Sequence, residues 1–207
     1  MDFKKNKYTI IRKAISKDLS LFTYNYFLIR KQVYDTCRQA NYFSPFETMF
    51  GYYESENQQV PNTYSIYADV AGETLLLKLQ PIMEKVTKMK LIPNYSYARV
   101  YKKGDELKRH TDRDSCEIST TLNLGGDPWP IYLEPSGKKN KKGIKIILKH
   151  GDMLVYRGCD LEHWREPFEG ERCVQIFLHY NNAKNKKAKK NMFDGKPHIG
   201  LPEDFMQ

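Results

Sequence analysis

The chain has 207 residues, 40% of them hydrophobic and 29% charged, with a formal net charge of +9. A chain of this size buries roughly 70% of its surface as one domain, and no stretch reaches the roughly 18 apolar residues of a membrane-spanning helix. The opening MDFKKNKYTIIRKAISKD lacks the apolar run of a secretory signal, so a soluble, cytoplasmic, monomeric protein with no membrane partner is expected.

Along the chain, SKDLSLFTYNYFLIRKQVYDTCRQA places Leu19, Phe22, Tyr26, Ile29, Val33 and Tyr34 at helical spacing behind a Ser16 cap. This predicts an amphipathic helix from Ser16 to about Ala40. Residues 41–70, rich in Tyr, Asn, Ser, Pro and Gly, read as an irregular excursion with short strands. Leu75, Leu76, Leu79, Ile82, Met83 and Val86 then predict a second helix from Gly72 to Lys88. After Pro93 the period changes, and YSYARVY, ELKRHTD, CEISTTLNL, WPIYLEP, GIKIILK, MLVY and RCVQIFLHY read as strands separated by Gly-containing turns. Helices followed by many short strands give an α+β, mainly β chain. None of the glycines has the context of a phosphate-binding loop. The widely spaced Cys37, Cys116, Cys159 and Cys173 read as free thiols. Five lysines between Lys184 and Lys190 hold much of the excess charge, and the segment reads as a solvated tail rather than a contact for nucleic acid.

His110-Thr111-Asp112 ends one of the strand-like runs, where positions i and i+2 face one way. With one distant histidine this makes a 2-His-1-carboxylate set, which leaves positions open on Fe(II) for a 2-oxo acid and O2. The second match, His150-Gly151-Asp152, sits at a turn and reads as a hairpin connection. His163, between MLVY and the next strand, is the best third ligand. In RCVQIFLHY, Arg172, Val174, Ile176 and Leu178 share one face and His179 the other, so if Arg172 faces the pocket His179 does not. Arg172, nine residues after His163, offers a fork for the distal carboxylate of a dicarboxylic 2-oxo acid. Tyr101 adds a hydroxyl, and Tyr95, Tyr97, Arg99 and Tyr101 share one strand face.

From Asn94 to Tyr180 the order VYKKGDELKRHTD, ISTTLNL, GDMLVY, LEHWREPFEGER and CVQIFLHY resembles the Fe(II)/2-oxoglutarate-dependent dioxygenases, in their prolyl 4-hydroxylase-like branch. The resemblance implies a double-stranded β-helix, or distorted jelly roll, with N-terminal supporting helices. It divides one domain, 1–207, into supporting helices and excursion (1–92), catalytic core (93–182) and lysine-rich tail (183–207). It implies iron on His110, Asp112 and His163, and 2-oxoglutarate held by Arg172 and Tyr101 with Thr121 nearby. Trp164, Arg165, Tyr97 and Arg99 would meet the substrate. The implied reaction consumes O2 and 2-oxoglutarate, releases succinate and CO2 and hydroxylates a C–H bond, with ascorbate as a reductant. A procollagen-proline 4-dioxygenase-like enzyme acting on a prolyl residue of a peptide or protein is expected. A free amino acid, a small metabolite or a nucleic-acid base is the alternative, and a non-enzymatic binding barrel ranks behind both. Leu178 stands six residues after Arg172, where the nucleic-acid branch carries a second arginine, and this disfavours a nucleic-acid partner.

Overall fold

The computed structural model describes residues 2–44, 46–139, 141–203 and 205. A short helix α1 (Phe3–Asn6) and strand β1 (Tyr8–Ile11) precede the long helix α2 (Lys17–Gln39). The excursion holds β2 (Tyr52–Tyr53) and β3 (Tyr64–Tyr67), and α3 (Val70–Thr87) follows. Next come β4 (Leu91–Lys102), β5 (Leu107–His110), β6 (Ile118–Gly126), β7 (Ile131–Leu133) and β8 (Ile144–Ile146). β9 (Met153–Arg157), β10 (His163–Arg165), β11 (Arg172–Asn182) and a short α4 (Ala188–Asn191) complete the order.

These strands form two antiparallel sheets. The large one runs β1-β9-β6-β11-β4-β3-β2 and the small one β5-β10-β7-β8. α2 and α3 cover the outer face of the large sheet, where Leu76, Leu79 and Met83 join Val174, Ile176 and Leu178 in the main core. Between the sheets lie two smaller clusters, one around Tyr101, Trp129 and Phe168 and one around Leu133, Leu154 and Tyr156. The architecture is that of a double-stranded β-helix backed by helices, as the family resemblance implies. Among the described residues no helix is long and apolar enough to cross a membrane, and all four cysteines are free.

Helix α2 starts where its cap predicts, with Ser16 Oγ accepting from the Leu19 N–H at 3.1 Å. Its buried face is only partly the predicted one: Tyr34 is in the core and Leu19 and Tyr26 pack against it. Phe22 and Ile29 are 68% and 60% exposed, while Ser20, Thr23, Phe27 and Tyr34 are buried. The cause is a close approach to β6, where Ser20 Oγ donates to the Leu124 carbonyl at 2.8 Å and Gly125 meets the Tyr24 ring. Small polar residues there let the helix rest on the sheet, which turns Phe22 and Ile29 outward.

The lysine segment also departs from expectation. It packs on the body: Ala188 is buried, Asn185 Nδ2 donates to Glu117 at 2.8 Å, and Asn191 Nδ2 donates to Asn181 at 3.0 Å. Beyond it, Asp194 accepts from the Tyr67 hydroxyl and from Arg113, both at 2.8 Å. Asparagines between the lysines supply the docking bonds.

Candidate metal centre

β5 ends at His110, and the chain then turns so that the Asp112 N–H donates to the Gly158 carbonyl at 2.9 Å. β10 lies beside β5 with His163 directly opposite His110. The two imidazoles and the Asp112 carboxylate thus converge, each offering a ligand atom within 4.8 Å of the others. His110 Nε2 stands 3.6 Å and His163 Nε2 3.3 Å from Asp112 Oδ1. Each ring is held from behind: His110 Nδ1 lies 2.8 Å from the Lys108 carbonyl and His163 Nδ1 3.1 Å from the Leu161 carbonyl. A carbonyl only accepts, so Nδ1 carries the proton in both rings and Nε2 keeps its lone pair for a cation. Burial works against ionisation of Asp112, but His163 and His110 beside it hold its carboxyl well below the usual range.

The second carboxylate oxygen is held in turn. Ser119 Oγ donates to Asp112 Oδ2 at 2.7 Å and lies 3.0 Å from His179 Nδ1. With its single proton on Asp112, Ser119 must accept from a His179 Nδ1–H. Burial pushes His179 down to about 4, so the ring is neutral at ordinary pH. Gly158 is a steric requirement, because a Cβ there would overlap Asp112 Oδ2.

The cavity in front of these groups encloses about 310 Å³. His110, Asp112 and His163 line it together with Tyr97, Arg99 and Thr121. Tyr101 is fully buried beneath, its hydroxyl 3.5 Å from Arg99 Nη1 and its ring 4.8 Å from that of Trp129. Arg99 is engaged, donating from Nε to Glu54 at 2.5 Å and from Nη2 to Gln59 at 2.9 Å.

Arg172 does not face this cavity. It is exposed at the start of β11, opposite Lys102. Arg172 and His179 do lie on opposite faces of β11, but with His179 inward: Val174, Ile176 and Leu178 point to the helices, and Phe177 and His179 line the cavity. Trp164 does not line the cavity either; its ring is stacked on Tyr132 at 5.4 Å and covered by Arg109 at 4.0 Å.

Arg165 is the residue that sequence reasoning misplaced. It shares the inward face of β10 with His163 and is 1% exposed. Nη1 donates to the Trp129 carbonyl at 2.5 Å, and the guanidinium carbon lies 4.9 Å from the Trp129 ring. Its Nε and Nη2 are buried with no acceptor among the described residues. Burial depresses its pKa, partly offset by Cys173, Tyr101 and Tyr156. A buried cation with two idle donors is costly unless a ligand supplies an acceptor. The i, i+2 spacing from His163 was the available signal.

A second hollow of about 220 Å³ shares Tyr95, Tyr97 and Arg99 with the first and is walled by Tyr52 and Tyr67. The Tyr52 and Tyr97 hydroxyls are 3.0 Å apart. Tyr52 and Tyr67 of the excursion thus wall this hollow, whereas Tyr42 and Phe46 are 81% and 85% exposed.

No protein-family model matches the sequence, and no curated protein does. Solved structures match over most of the chain. A prolyl-4-hydroxylase from Pseudomonas putida is 14% identical with a TM-score of 0.57, over 87% of this chain and 95% of its own. HygX from Streptomyces hygroscopicus, with nickel and 2-oxoglutarate bound, is 14% identical with a TM-score of 0.60, over 88% and 85%. EctD from S. alaskensis, with bound Fe, is 13% identical with a TM-score of 0.60, over 89% and 75%. The likeness establishes a shared fold, the oxygenase jelly roll.

Proposed function

We propose that this chain is an Fe(II)- and 2-oxoglutarate-dependent dioxygenase that hydroxylates a C–H bond, with a prolyl residue of a peptide as the target. The observation that carries the reading is the pairing of an open His110–Asp112–His163 set with the idle guanidinium of Arg165, which shares the inward face of β10 with His163 and interacts with the cavity-lining Tyr156. Two imidazoles and one carboxylate are a donor set suited to Fe(II) with open positions, and not to a closed structural zinc. Iron held there would supply the oxidising power for a C–H bond once O2 and the 2-oxo acid are bound, with ascorbate as a reductant.

The protein's own residues do the rest. His110, Asp112 and His163 fix the cation, with Ser119 turning Asp112 Oδ2 away from it. Arg165 offers two N–H groups to the distal carboxylate of 2-oxoglutarate, with Tyr101 as its electrostatic neighbour and Thr121 in the cavity wall. The tyrosine-walled hollow beside the cavity suits an extended proline-containing chain, because polyproline segments dock on aromatic-lined grooves.

The test is anaerobic titration of Fe(II)-loaded protein with 2-oxoglutarate, followed by aerobic incubation with proline-containing peptides. A weak visible charge-transfer band and a +16 mass shift on proline are expected. Arg165→Ala should weaken 2-oxoglutarate binding by about 10–100-fold, in line with loss of a charged hydrogen bond, and Arg172→Ala should leave it unchanged. The opposite pattern would return the carboxylate to Arg172; a shift on a free amino acid or nucleobase instead would overturn the peptidyl part.

A further inference from the structure

A second cleft, of about 1230 Å³, shares no lining residue with the metal cavity. It opens between the β1–α2 connection, the end of β6 and the β8–β9 connection. This exceeds the roughly 300–1,000 Å³ of ordinary small-molecule pockets. Its floor is apolar: Ile15 and Leu148 are buried, Pro128 lies beside them, and Ile147 stands at the edge 52% exposed.

Its rim is cationic. Lys13, Lys17 and Lys149 line it, and among the described residues none of them is in an ion pair. The carboxylate on the wall, Asp152, is fully engaged. Its Oδ2 accepts from Arg12 Nη1 at 2.7 Å and from the Lys149 N–H at 3.0 Å, and its Oδ1 accepts from the Lys13 N–H at 3.0 Å. The same positive sign continues outside the cleft, because Lys138, Lys139, Lys141, Lys142 and Lys145 precede Lys149 with no acidic residue among them.

An apolar floor under an unneutralised ring of ammonium groups is complementary to one chemistry. We propose that this cleft binds an acyl chain ending in an anionic headgroup, the chain lying on Ile15, Leu148 and Ile147 and the headgroup meeting Lys13, Lys17 and Lys149. Ile147, 52% exposed beside Pro128 at the cleft edge, gives an acyl chain apolar surface to cover next to the ammonium groups. A nucleic-acid strand is a poorer fit, because the cleft lining contains no Phe, Tyr or Trp ring on which a base would stack. The same headgroup chemistry is available as a free carboxylate or as an anionic lipid in a bilayer.

The full chain is titrated calorimetrically with dodecanoate and with dodecyltrimethylammonium, both at monomeric concentrations. It is also co-sedimented with neutral phosphatidylcholine vesicles and with vesicles containing phosphatidylglycerol. Saturable binding of dodecanoate, with none of the cationic amphiphile, is expected. It should weaken at least about tenfold in K17E/K149E, since two attractive charges become repulsive, and also in Ile147→Asp. Lys17→Glu places a carboxylate in the first turn of α2, where it suits the helix dipole, and Ile147 is exposed. Both variants should therefore melt like the parent chain. Binding of dodecanoate identifies a free acid; binding confined to the anionic vesicles, and lost in K17E/K149E, identifies a bilayer lipid. Equal binding of the cationic amphiphile, indifference to the lysine variants, or no binding of either anionic form overturns the proposal. A single-stranded oligonucleotide bound in place of both would assign the lysines to phosphates and do the same.

Discussion

Arg165 is under two opposed demands. A guanidinium 1% exposed with Nε and Nη2 idle lowers the stability of the ligand-free protein, yet those idle donors are what a distal carboxylate would use. Arg165→Met keeps the length of the side chain and removes the charge. It should raise the unfolding free energy of the ligand-free protein by about 1–4 kcal/mol, as replacement of buried charges by packed apolar groups does, while weakening 2-oxoglutarate binding by about 10–100-fold by calorimetry. A destabilised Arg165→Met that binds 2-oxoglutarate as tightly as the parent chain would mean the arginine is structural. Ser119 makes a separate case at the proposed ligand Asp112. Ser119→Ala removes the donor to Oδ2 and should lower Mn(II) affinity by about 10–100-fold, with the fold intact by circular dichroism and Ser119→Thr recovering most of it. The triad was readable because each of its residues lies in a local pattern that survives folding. Arg165 was not ranked above Arg172 because the two sit at strand starts of either plausible parity, and parity says which residues share a face without saying which face is inside.

At the level of elements, β11 shows why. Val174, Ile176 and Leu178 are buried under helices and Cys173, Gln175 and Phe177 between sheets, so alternation of apolar and polar residues is too weak to tell inside from outside. Helix α2 was placed to within a residue by its Ser16 cap, but its contact face was set by the tertiary approach of β6, which no periodicity records. β10, three residues long between two charged loops, carries too few residues to show a period. Helix α3 was legible throughout, and it carries a titration of its own. Glu73 Oε1 accepts from the Ser96 N–H at 2.6 Å and the Ser96 hydroxyl at 2.7 Å, while its Oε2 is buried without a partner among the described residues. Burial outweighs these bonds and pushes its carboxyl up from 4.5 to about 7. The folded state therefore holds a proton that the unfolded chain releases above about pH 4.5, so this contribution is complete below that pH and is lost as pH rises through about 7. The loss amounts to about 3 kcal/mol, from a shift of some 2.5 pH units. Glu73→Gln, neutral at every pH, should be flatter than the parent chain between pH 5 and pH 7 and more stable at pH 8. Urea midpoints across that range would show it, and parallel curves for the two proteins would refute it.

Across the whole molecule, helices first and strands afterwards was enough to read an α+β, mainly β chain, because the change from a period near four to short alternating runs is a property of the chain itself; the β-helix came only from the family resemblance. What the chain could not announce is which distant segments close on one another. The candidate metal centre lies on such a closure: His110 and Asp112 come from the end of β5 and the turn after it, and His163 from β10, brought opposite by register. The small sheet that carries two of these residues is built from strands of three and four residues, and a cation shared by β5 and β10 would tie it together. Binding to the folded state alone stabilises it by about 2.7 kcal/mol at a free concentration of 100 times Kd. For a chain of this length each kcal/mol moves the melting temperature by about 2–4 °C. Mn(II) at that excess should therefore raise the melting temperature by roughly 5–10 °C. EDTA should reverse the rise, and His110→Ala, whose side chain is partly exposed and outside the main core, should abolish it without lowering the metal-free melting temperature by more than a degree or two. A shift of equal size in His110→Ala would place the metal somewhere other than between β5 and β10, and would remove the premise on which the oxygenase reading stands.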